Sequence, residues 1–274
     1  MSADDLVRWE PYLRLGSFVS VLTLMTLAEA IWPRRVRVRP RSRRWPTNAL
    51  LVAAGALAAR LLAAAPAPLV AGAAAVWASH NGVGVFNVLA APSWVAFLTC
   101  ILALDLLVWA QHWAFHRYPL LWPLHRVHHS DRDVDASTAL RFHPAEILLS
   151  ALLKAGAALA LGAPLAAIIV FEILLNGCAI FNHANTTLPS GIERAVRLLF
   201  VTPDLHRIHH SVCAEEHNSN YGFCLSVWDR LFRTLRRSAG SSGAPLVLGL
   251  SDLQDERPER LSWSLIAPFV RGRR

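Results

Sequence analysis

The chain alternates long apolar stretches with short polar segments rich in arginine or histidine. The apolar stretches are residues 13–32, 47–65, 67–89, 93–111 and 145–180. A helix of about 20 apolar residues spans the hydrocarbon core of a bilayer, so this pattern predicts a multi-pass integral membrane protein. Because backbone polar groups inside a bilayer must pair within their own segment, the predicted fold class is all-α.

Two of these stretches are interrupted. Pro68, several glycines and Asn81 break residues 67–89, which we therefore expect to be re-entrant or partly interfacial. The run Gly162-Ala163-Pro164 divides residues 145–180 and predicts a hairpin of two helices that enters and leaves on the same side. The prediction is about four or five membrane-embedded helices beneath a helical cap.

The composition agrees with a membrane protein. Of 274 residues, 54% are hydrophobic and 17% are charged, and the formal net charge is +8. A basic chain can bind nucleic acid, but no motif that reads DNA or RNA accompanies the arginines, so we expect no nucleic-acid partner. The cysteines lack a CxxC pair and are predicted to be packing thiols in a reducing compartment; they are Cys100, Cys178, Cys213 and Cys224.

The segment 34–44 contains seven arginines in eleven residues. The positive-inside rule predicts that this loop is cytoplasmic and that the N-terminus lies outside. A site for a lipid headgroup or another polyanion is the alternative interpretation. With the loop inside, two further crossings and the hairpin bring all the histidine-rich segments to the same cytoplasmic face.

We divide the chain into three regions. Residues 1–92 are predicted to be N-terminal membrane helices with the arginine-rich loop, and residues 93–235 a catalytic domain. Residues 236–274 are predicted to be a C-terminal tail, in which residues 261–270 form an amphipathic stretch suited to a membrane surface.

The histidines occur at metal-ligand spacing. His112 and His116 are four residues apart, as are His125 and His129, so a helix places each pair on one face. Imidazole binds first-row transition metals, whereas magnesium and calcium prefer oxygen. We expect two ions, because one ion cannot use so many ligands. The predicted ligands are His112, His116, His125, His128, His129, His143, His183, His206, His209 and His210.

Ligating imidazoles need acceptors that hold their tautomer. Asp105 lies seven residues before His112 on the same helical face, and an acid inside a membrane span is a functional candidate. Further carboxylates and amides lie near the histidines in sequence. The candidates for this supporting role are Asp105, Asp131, Glu146, Asn182, Asn185, Asp204 and Asp229. We expect His80 and His217 to lie outside the metal site.

These motifs resemble the fatty acid hydroxylase/sterol desaturase superfamily of integral membrane di-iron oxygenases, which carry HxxxH, HxxHH and a second HxxHH in that order. The resemblance covers roughly residues 94–234. The matching segments are His112-x-x-x-His116, Leu121-Trp122-x-x-His125-x-x-His128-His129-Ser130, Ala139-Leu140-Arg141-Phe142-His143-Pro144-Ala145-Glu146, Phe200-Val201-Thr202-Pro203-Asp204-Leu205-His206-Arg207-Ile208-His209-His210-Ser211, Asn220-Tyr221-Gly222 and Trp228-Asp229-Arg230-Leu231-Phe232.

The resemblance implies two iron ions, O2 as co-substrate, and hydroxylation or desaturation of a lipid of sterol or fatty acyl type. The sequence contains no cytochrome b5-like haem domain, so we expect electrons from a separate protein. The chain departs from the family pattern at Trp113, where arginine is common, and at Arg233, where the family usually has glycine. It also has His183 alone where some branches carry a further HxxxH.

Two other classes of function fit a histidine-rich membrane protein. A metal-dependent hydrolase of membrane lipids would need an open metal position and usually carboxylate ligands, and the sequence has no HExxH motif. A non-catalytic metal-binding or transport protein would place its ligands near the bilayer midplane, whereas these histidines lie at the ends of the predicted helices.

Overall fold

The computed structural model describes residues 3–240 and 246–270, and the regular elements in these residues are helices. Within them, β-structure is limited to isolated bridges, so the predicted all-α fold class is confirmed. Short 3-10 helices cover Ala136–Leu140, Arg257–Glu259 and Ala267–Phe269. The α-helices are α1 (Ala3–Ile31), α2 (Arg41–Ala63), α3 (Ala71–His80), α4 (Val85–Val88), α5 (Ser93–Arg117), α6 (Trp122–His129), α7 (Pro144–Leu161), α8 (Leu165–His183), α9 (Ser190–Val196), α10 (Pro203–His209), α11 (Ala214–His217), α12 (Val227–Leu231) and α13 (Leu261–Ile266).

Five of the described helices are long and apolar enough to cross a membrane, namely Arg8–Ile31 within α1 and the whole of α2, α5, α7 and α8. This confirms the predicted number of membrane-embedded helices. Large apolar side chains such as Leu24, Leu57 and Leu98 are more than half exposed on these helices, as contact with lipid requires. Residues 67–89 instead form α3 and α4, which are too short to span a bilayer.

Helix α5 runs without interruption from Ser93 to Arg117. The apolar span therefore continues directly into the helical turns that carry His112 and His116. This continuity places the first histidine pair at one end of a membrane helix. We call this end of the bundle the histidine end.

Helices α7 and α8 form the predicted hairpin, and the chain turns at Gly162, which has a left-handed φ of +66°. Gly84, with φ of +96°, packs against this turn. A Cβ built on Gly84 would lie 2.1 Å from the Gly162 backbone nitrogen. Only glycine permits both the backbone conformation and this approach. The contact attaches residues 67–89 to the end of the bundle opposite the histidines.

A cap of short helices covers the histidine end and is joined to the bundle by buried ion pairs. Arg44, at the start of α2, bonds Asp131 through Nε–Oδ1 (2.6 Å) and Asp135 through Nη1–Oδ2 (2.8 Å). Burial favours the neutral acid, but Arg44 outweighs it and lowers the pKa of Asp131 to about 2. Asp131 therefore remains ionised, and the two ion pairs hold α2 to the segment that follows α6.

The residues after 245 also pack on this cap. Arg141, which is fully buried, donates from Nη2 to the Pro258 carbonyl (2.6 Å) and to Ser264 Oγ (3.1 Å). Its Nε donates to the Val127 carbonyl of α6 (2.8 Å). The amphipathic stretch predicted at 261–270 forms α13 and a 3-10 turn, and Arg141 joins it to the helix that carries three of the histidines.

Candidate metal centre

Each histidine motif lies on a helix or at its end. His112 and His116 lie on the last turns of α5, His183 ends α8, and the two HxxHH motifs are carried by α6 and α10. The second motif ends at His210, the C-terminal cap of α10. The two HxxHH motifs, the His112–His116 pair and His183 at the end of α8 therefore all lie at the same end of the bundle.

Five of these side chains, which we call the five-histidine group, come together from three helices: His112, His116, His125, His129 and His209. One ring nitrogen of each lies within 4.8 Å of the others. The ring centroids of His112 and His209 are 4.5 Å apart, and those of His116 and His129 are 4.7 Å apart. The spacing is that of ligands around one ion.

The four-histidine group consists of His128, His183, His206 and His210. The Nε2 atom of His183 lies 3.0 Å from Nε2 of His128, 3.0 Å from Nε2 of His206 and 3.2 Å from Nε2 of His210. Metal–nitrogen bonds of about 2.1 Å place neighbouring ligand atoms roughly 3.0 to 3.4 Å apart. The four nitrogens therefore have the separations of one coordination sphere.

The two groups are adjacent because neighbouring residues divide between them. His128 and His129 point in directions about 100° apart on α6, as successive residues on a helix do. His209 and His210 separate in the same way, and the rings of His129 and His210 stack with centroids 4.4 Å apart. The arrangement places two candidate metal positions side by side.

Hydrogen bonds at Nδ1 orient four of the rings. The carbonyls of Tyr221, Ala179 and Ser219 accept from Nδ1 of His112 (2.8 Å), His183 (2.6 Å) and His209 (2.7 Å), respectively. Glu146 accepts from Nδ1 of His125 at 2.7 Å. With the proton held on Nδ1, the Nε2 lone pair of each ring faces its group.

The donor set fits metal ions. Buried ring nitrogens without a hydrogen-bond partner include Nε2 of His112, His125 and His209 and both ring nitrogens of His116 and His129. Leaving such atoms unpaired is costly unless a ligand occupies the site. Burial lowers the pKa of His125 to about 3, so its imidazole is neutral, as metal binding requires. Two all-imidazole groups suit first-row transition metals.

The structure places the tenth predicted ligand, His143, outside both groups. It is the N-terminal cap of α7: Nδ1 accepts from the Ala145 backbone N–H (3.1 Å), and Nε2 lies 3.2 Å from the Leu265 carbonyl. Both ring nitrogens are thus used, Nδ1 in capping α7 and Nε2 in joining α7 to α13. His80 is exposed at the opposite end of the bundle, and His217 stacks on Trp122 beside the five-histidine group.

Asp105 and Asp229 support the site through the backbone of residues 221–228. Asp105 accepts from Trp228 Nε1 (2.9 Å) and from the backbone of Leu225 (3.2 Å). Asp229 accepts from the backbone nitrogen of Tyr221 (2.9 Å), whose carbonyl orients His112. Asp229 thus holds the residue whose carbonyl orients His112, Asp105 holds the segment that follows it, and neither carboxylate bonds an imidazole.

The remaining candidates for the supporting role lie in other connections. Asn182 donates to the Phe223 carbonyl (2.6 Å), and Asn185 bonds the backbone of Arg35. Asp204 pairs with Arg34 and Arg207, and Asp131 with Arg44. Of the seven carboxylates and amides predicted to support imidazoles, Glu146 has a hydrogen bond to a clustered histidine.

Sequence reasoning missed the backbone carbonyls that orient three of the imidazoles. It also missed Phe142, whose ring stacks on that of His128 with centroids 4.4 Å apart and an interplanar angle of 8°. Phe142 directly precedes His143, a predicted ligand, and this adjacency is the sequence feature that could have indicated its place beside the histidines.

A cavity of about 280 Å³ ends at the five-histidine group. His112 and His125 line it, and apolar residues of α1, α2, α5, α7 and α8 form most of its wall. Glu146, Ser150 and Lys154 line one side at successive helical turns of α7. The cavity admits a slender, largely apolar molecule to the edge of the metal site.

Comparison with known proteins places this site in a family. The fatty acid hydroxylase family model matches residues 97–234, half of the chain, and this range contains all nine clustered histidines. No solved structure matches the chain.

Curated relatives show the same likeness. The ornithine lipid hydroxylase OlsE of Rhizobium tropici is 32% identical over 46% of this chain and 38% of its own length. Alkylglycerol monooxygenases match as well, that of Caenorhabditis elegans at 28% identity over 50% of the chain and 26% of its own length, and that of Homo sapiens at 26% over 58% and 34%. The chain therefore spans well under half the length of these relatives. With its histidine motifs inside the matched range, the chain belongs to the fatty acid hydroxylase family.

Proposed function

We propose that the protein is a membrane-bound di-iron oxygenase that uses O2 and externally supplied electrons to hydroxylate a C–H bond of a lipid. The observation that carries this proposal is the convergence of nine histidines, with unpaired buried nitrogens, at the end of an apolar cavity inside a membrane bundle. Names of the relatives favour hydroxylation over desaturation, since they are a hydroxylase and monooxygenases.

The two histidine groups would each hold one iron ion. When bound, the iron pair would supply with O2 the oxidising power to cleave an unactivated C–H bond. The protein contributes orientation: Glu146 and the three backbone carbonyls keep protons on Nδ1, so Nε2 of His112, His125, His183 and His209 stays available as a ligand atom. Burial of the site excludes water and so limits side reactions.

The cavity would hold the substrate's alkyl chain. Phe115, Val108 and Leu175 provide apolar contacts beside His112. Polar side chains also line it, among them Gln111 and Lys154, whose Nζ bonds Glu172 (3.0 Å) and keeps further donors free. A lipid with an ester, ether or amide near its chain would satisfy these groups. The relatives are named for an ornithine lipid and for alkylglycerols.

Two alternatives are less well supported. Both groups consist of histidine alone, whereas a hydrolase site usually includes carboxylate ligands. The histidines also lie at helix ends and not at the midplane, which counts against a transport site. Under the proposal, the histidine end faces the cytoplasm, where a separate donor protein would deliver electrons.

The test is isotopic. Protein reconstituted with reducing equivalents and membrane lipid under 18O2 should give a hydroxylated lipid that carries the label. Alanine at His128, His129, His209 or His210 should abolish product, and anaerobically purified wild type should contain about two metals per chain, as two imidazole groups require. Label from water, or full activity in His129→Ala and His210→Ala, would contradict the oxygenase.

Two further variants separate support from ligation. Glu146→Gln and Asp105→Asn should lose roughly 10–100-fold in metal affinity or activity, the usual cost of removing a group that orients a ligand. His80→Ala is the matched control, because His80 is exposed at the far end and should leave product formation unchanged.

A further inference from the structure

We propose that a cavity beside α10, which we call the arginine cavity, binds a phosphate group. Its volume is about 350 Å³, and among its described lining residues are five arginines and one carboxylate, Asp204. The arginines are Arg34, Arg35, Arg197, Arg207 and Arg237. This site is separate from the cavity that ends at the histidines and is independent of the oxidation chemistry.

Four of the five other arginines in the 34–44 segment pair with carboxylates of the protein, and the fifth, Arg43, is exposed. Arg37 and Arg41 pair with Glu29, Arg39 pairs with Glu256 and Glu259, and Arg44 pairs with Asp131 and Asp135. The carboxylates of the protein itself neutralise these four side chains. They join the loop to the cap, which is a structural role.

Charge in the arginine cavity is not balanced in this way. Arg34 and Arg207 share Asp204, and Arg197 pairs with Glu193 (2.7 Å). Within the described residues, Arg35 and Arg237 have no ion-pair partner within 4 Å, and Nη1 of Arg35 is buried without a hydrogen-bond partner. Five guanidinium groups thus have two paired carboxylates, which leaves an excess of positive charge.

Burial makes this excess costly. Arg207 is 5% exposed. Burial, together with the charge of neighbouring Arg34, lowers the pKa of Arg35, although Asp133 opposes the shift. A bound anion would relieve the repulsion, and guanidinium is the group that recognises phosphate oxygens through paired hydrogen bonds.

The position of the cavity indicates where the phosphate comes from. Arg34 and Arg35 follow the membrane span of α1 by three and four residues. The neighbouring side chains of Trp32, Leu198 and Leu199 are apolar and exposed, as at a membrane surface. The site thus lies at the level of lipid headgroups and is concave, which suits a phosphate-bearing headgroup better than the surface of an acidic protein.

The experiment measures lipid binding to the purified full chain by native mass spectrometry, with phosphatidylglycerol and phosphatidylcholine of identical acyl chains as probes. Wild type should retain phosphatidylglycerol preferentially. Arg35→Gln should bind it roughly ten- to a hundredfold more weakly, the usual effect of losing a charge-assisted hydrogen bond. Arg35→Lys, which keeps the charge but not the planar fork, should be intermediate.

Arg43→Gln is the matched control, because Arg43 is an exposed arginine of the same loop that does not line the cavity. It should bind as wild type does. The contacts of Arg35 with Asn185 use its backbone N–H and carbonyl, so substitution of the side chain leaves them in place. Unchanged metal content in Arg35→Gln would show that the histidine site is intact.

A calorimetric titration with inorganic phosphate distinguishes the two sources. Binding that is lost in Arg35→Gln would identify a free phosphate ligand, whereas retention of phosphatidylglycerol alone would identify a lipid headgroup; both support the site. Equal weakening by Arg35→Gln and Arg43→Gln would reveal only a basic surface and overturn the proposal. Failure of wild type to bind phosphatidylglycerol or inorganic phosphate would overturn it too.

Discussion

Arg233 adopts a left-handed backbone conformation, with φ of +60°, at the turn after α12. The turn is needed because the next residue, Thr234, returns to donate from its backbone nitrogen to the Asp229 carbonyl (2.8 Å) and from Oγ1 to Oδ1 of Asp229 (2.6 Å). Asp229 in turn holds the Tyr221 backbone behind His112. The family resemblance puts glycine at this position, and the left-handed φ explains that preference.

Replacing Arg233 with glycine should therefore stabilise the protein. The left-handed conformation costs a residue with a Cβ about 1–2 kcal/mol, and glycine removes this cost. Glycine also increases the entropy of the unfolded chain, which offsets part of the stabilisation. We expect a net increase of roughly 0.5–1 kcal/mol in the free energy of unfolding. In detergent, the thermal unfolding midpoint of Arg233→Gly should be higher than that of wild type. The midpoint of Arg233→Ala, which keeps the Cβ, should be unchanged.

At this scale the sequence predicted which histidines come together better than it predicted the groups that orient them. Ligand spacing is local: His125, His128 and His129 must share neighbouring faces of any helix that contains them. The groups that orient the rings are mostly carbonyls, such as those of Tyr221 and Ser219, which every residue type possesses. His143 shows the converse, because an imidazole beside a metal motif can also cap a helix, and spacing does not distinguish the two uses.

Among the helices, the contact of Gly84 with the α7–α8 turn is the most sensitive to substitution. Gly84→Ala would place a Cβ 2.1 Å from a backbone nitrogen that cannot move aside without distorting the hairpin. Strain and overpacking together should cost about 2–4 kcal/mol. The thermal unfolding midpoint should fall by several degrees.

Gly82→Ala provides the control for this substitution. Gly82 also has a positive φ, +64°, but a Cβ there meets nothing within 4 Å. Gly82→Ala should lower the free energy of unfolding only by the cost of the left-handed conformation, about 1–2 kcal/mol. Equal losses in the two variants would show that the close approach to Gly162 contributes nothing.

The sequence predicted the spans and the hairpin because hydrophobic length and the Gly162-Ala163-Pro164 break are local properties. It did not predict how residues 67–89 attach to the bundle or that Arg141 holds α13 on the cap. Both depend on complementarity between segments far apart in the chain. Small side chains such as those of Ala74 and Ala158 in the shared core carry no signal of which partner they face.

In the whole molecule, the arginine-rich loop and every clustered histidine lie at one end of the bundle, and residues 79–84 lie at the other. The positive-inside rule assigns the histidine end to the cytoplasm. Cysteine placed at exposed Ser42 should react only with a reagent applied from the cytoplasmic side, and cysteine at exposed Asn81 only from the opposite side. Labelling is done with Cys178 and Cys213 replaced by serine. Reaction of both positions from one side would refute the topology.

The uninterrupted α5 helix also couples the metal site to the thickness of the membrane. Its 25 residues extend about 37 Å, whereas the hydrocarbon core is about 30 Å thick. A thinner bilayer is accommodated by tilting such a helix. Tilt would carry His112 and His116 away from the histidines of α6, a helix that Arg141 holds to the cap through the Val127 carbonyl. Turnover in vesicles of graded acyl length should pass through a maximum, and an activity independent of acyl length would show that the site is insulated from hydrophobic mismatch.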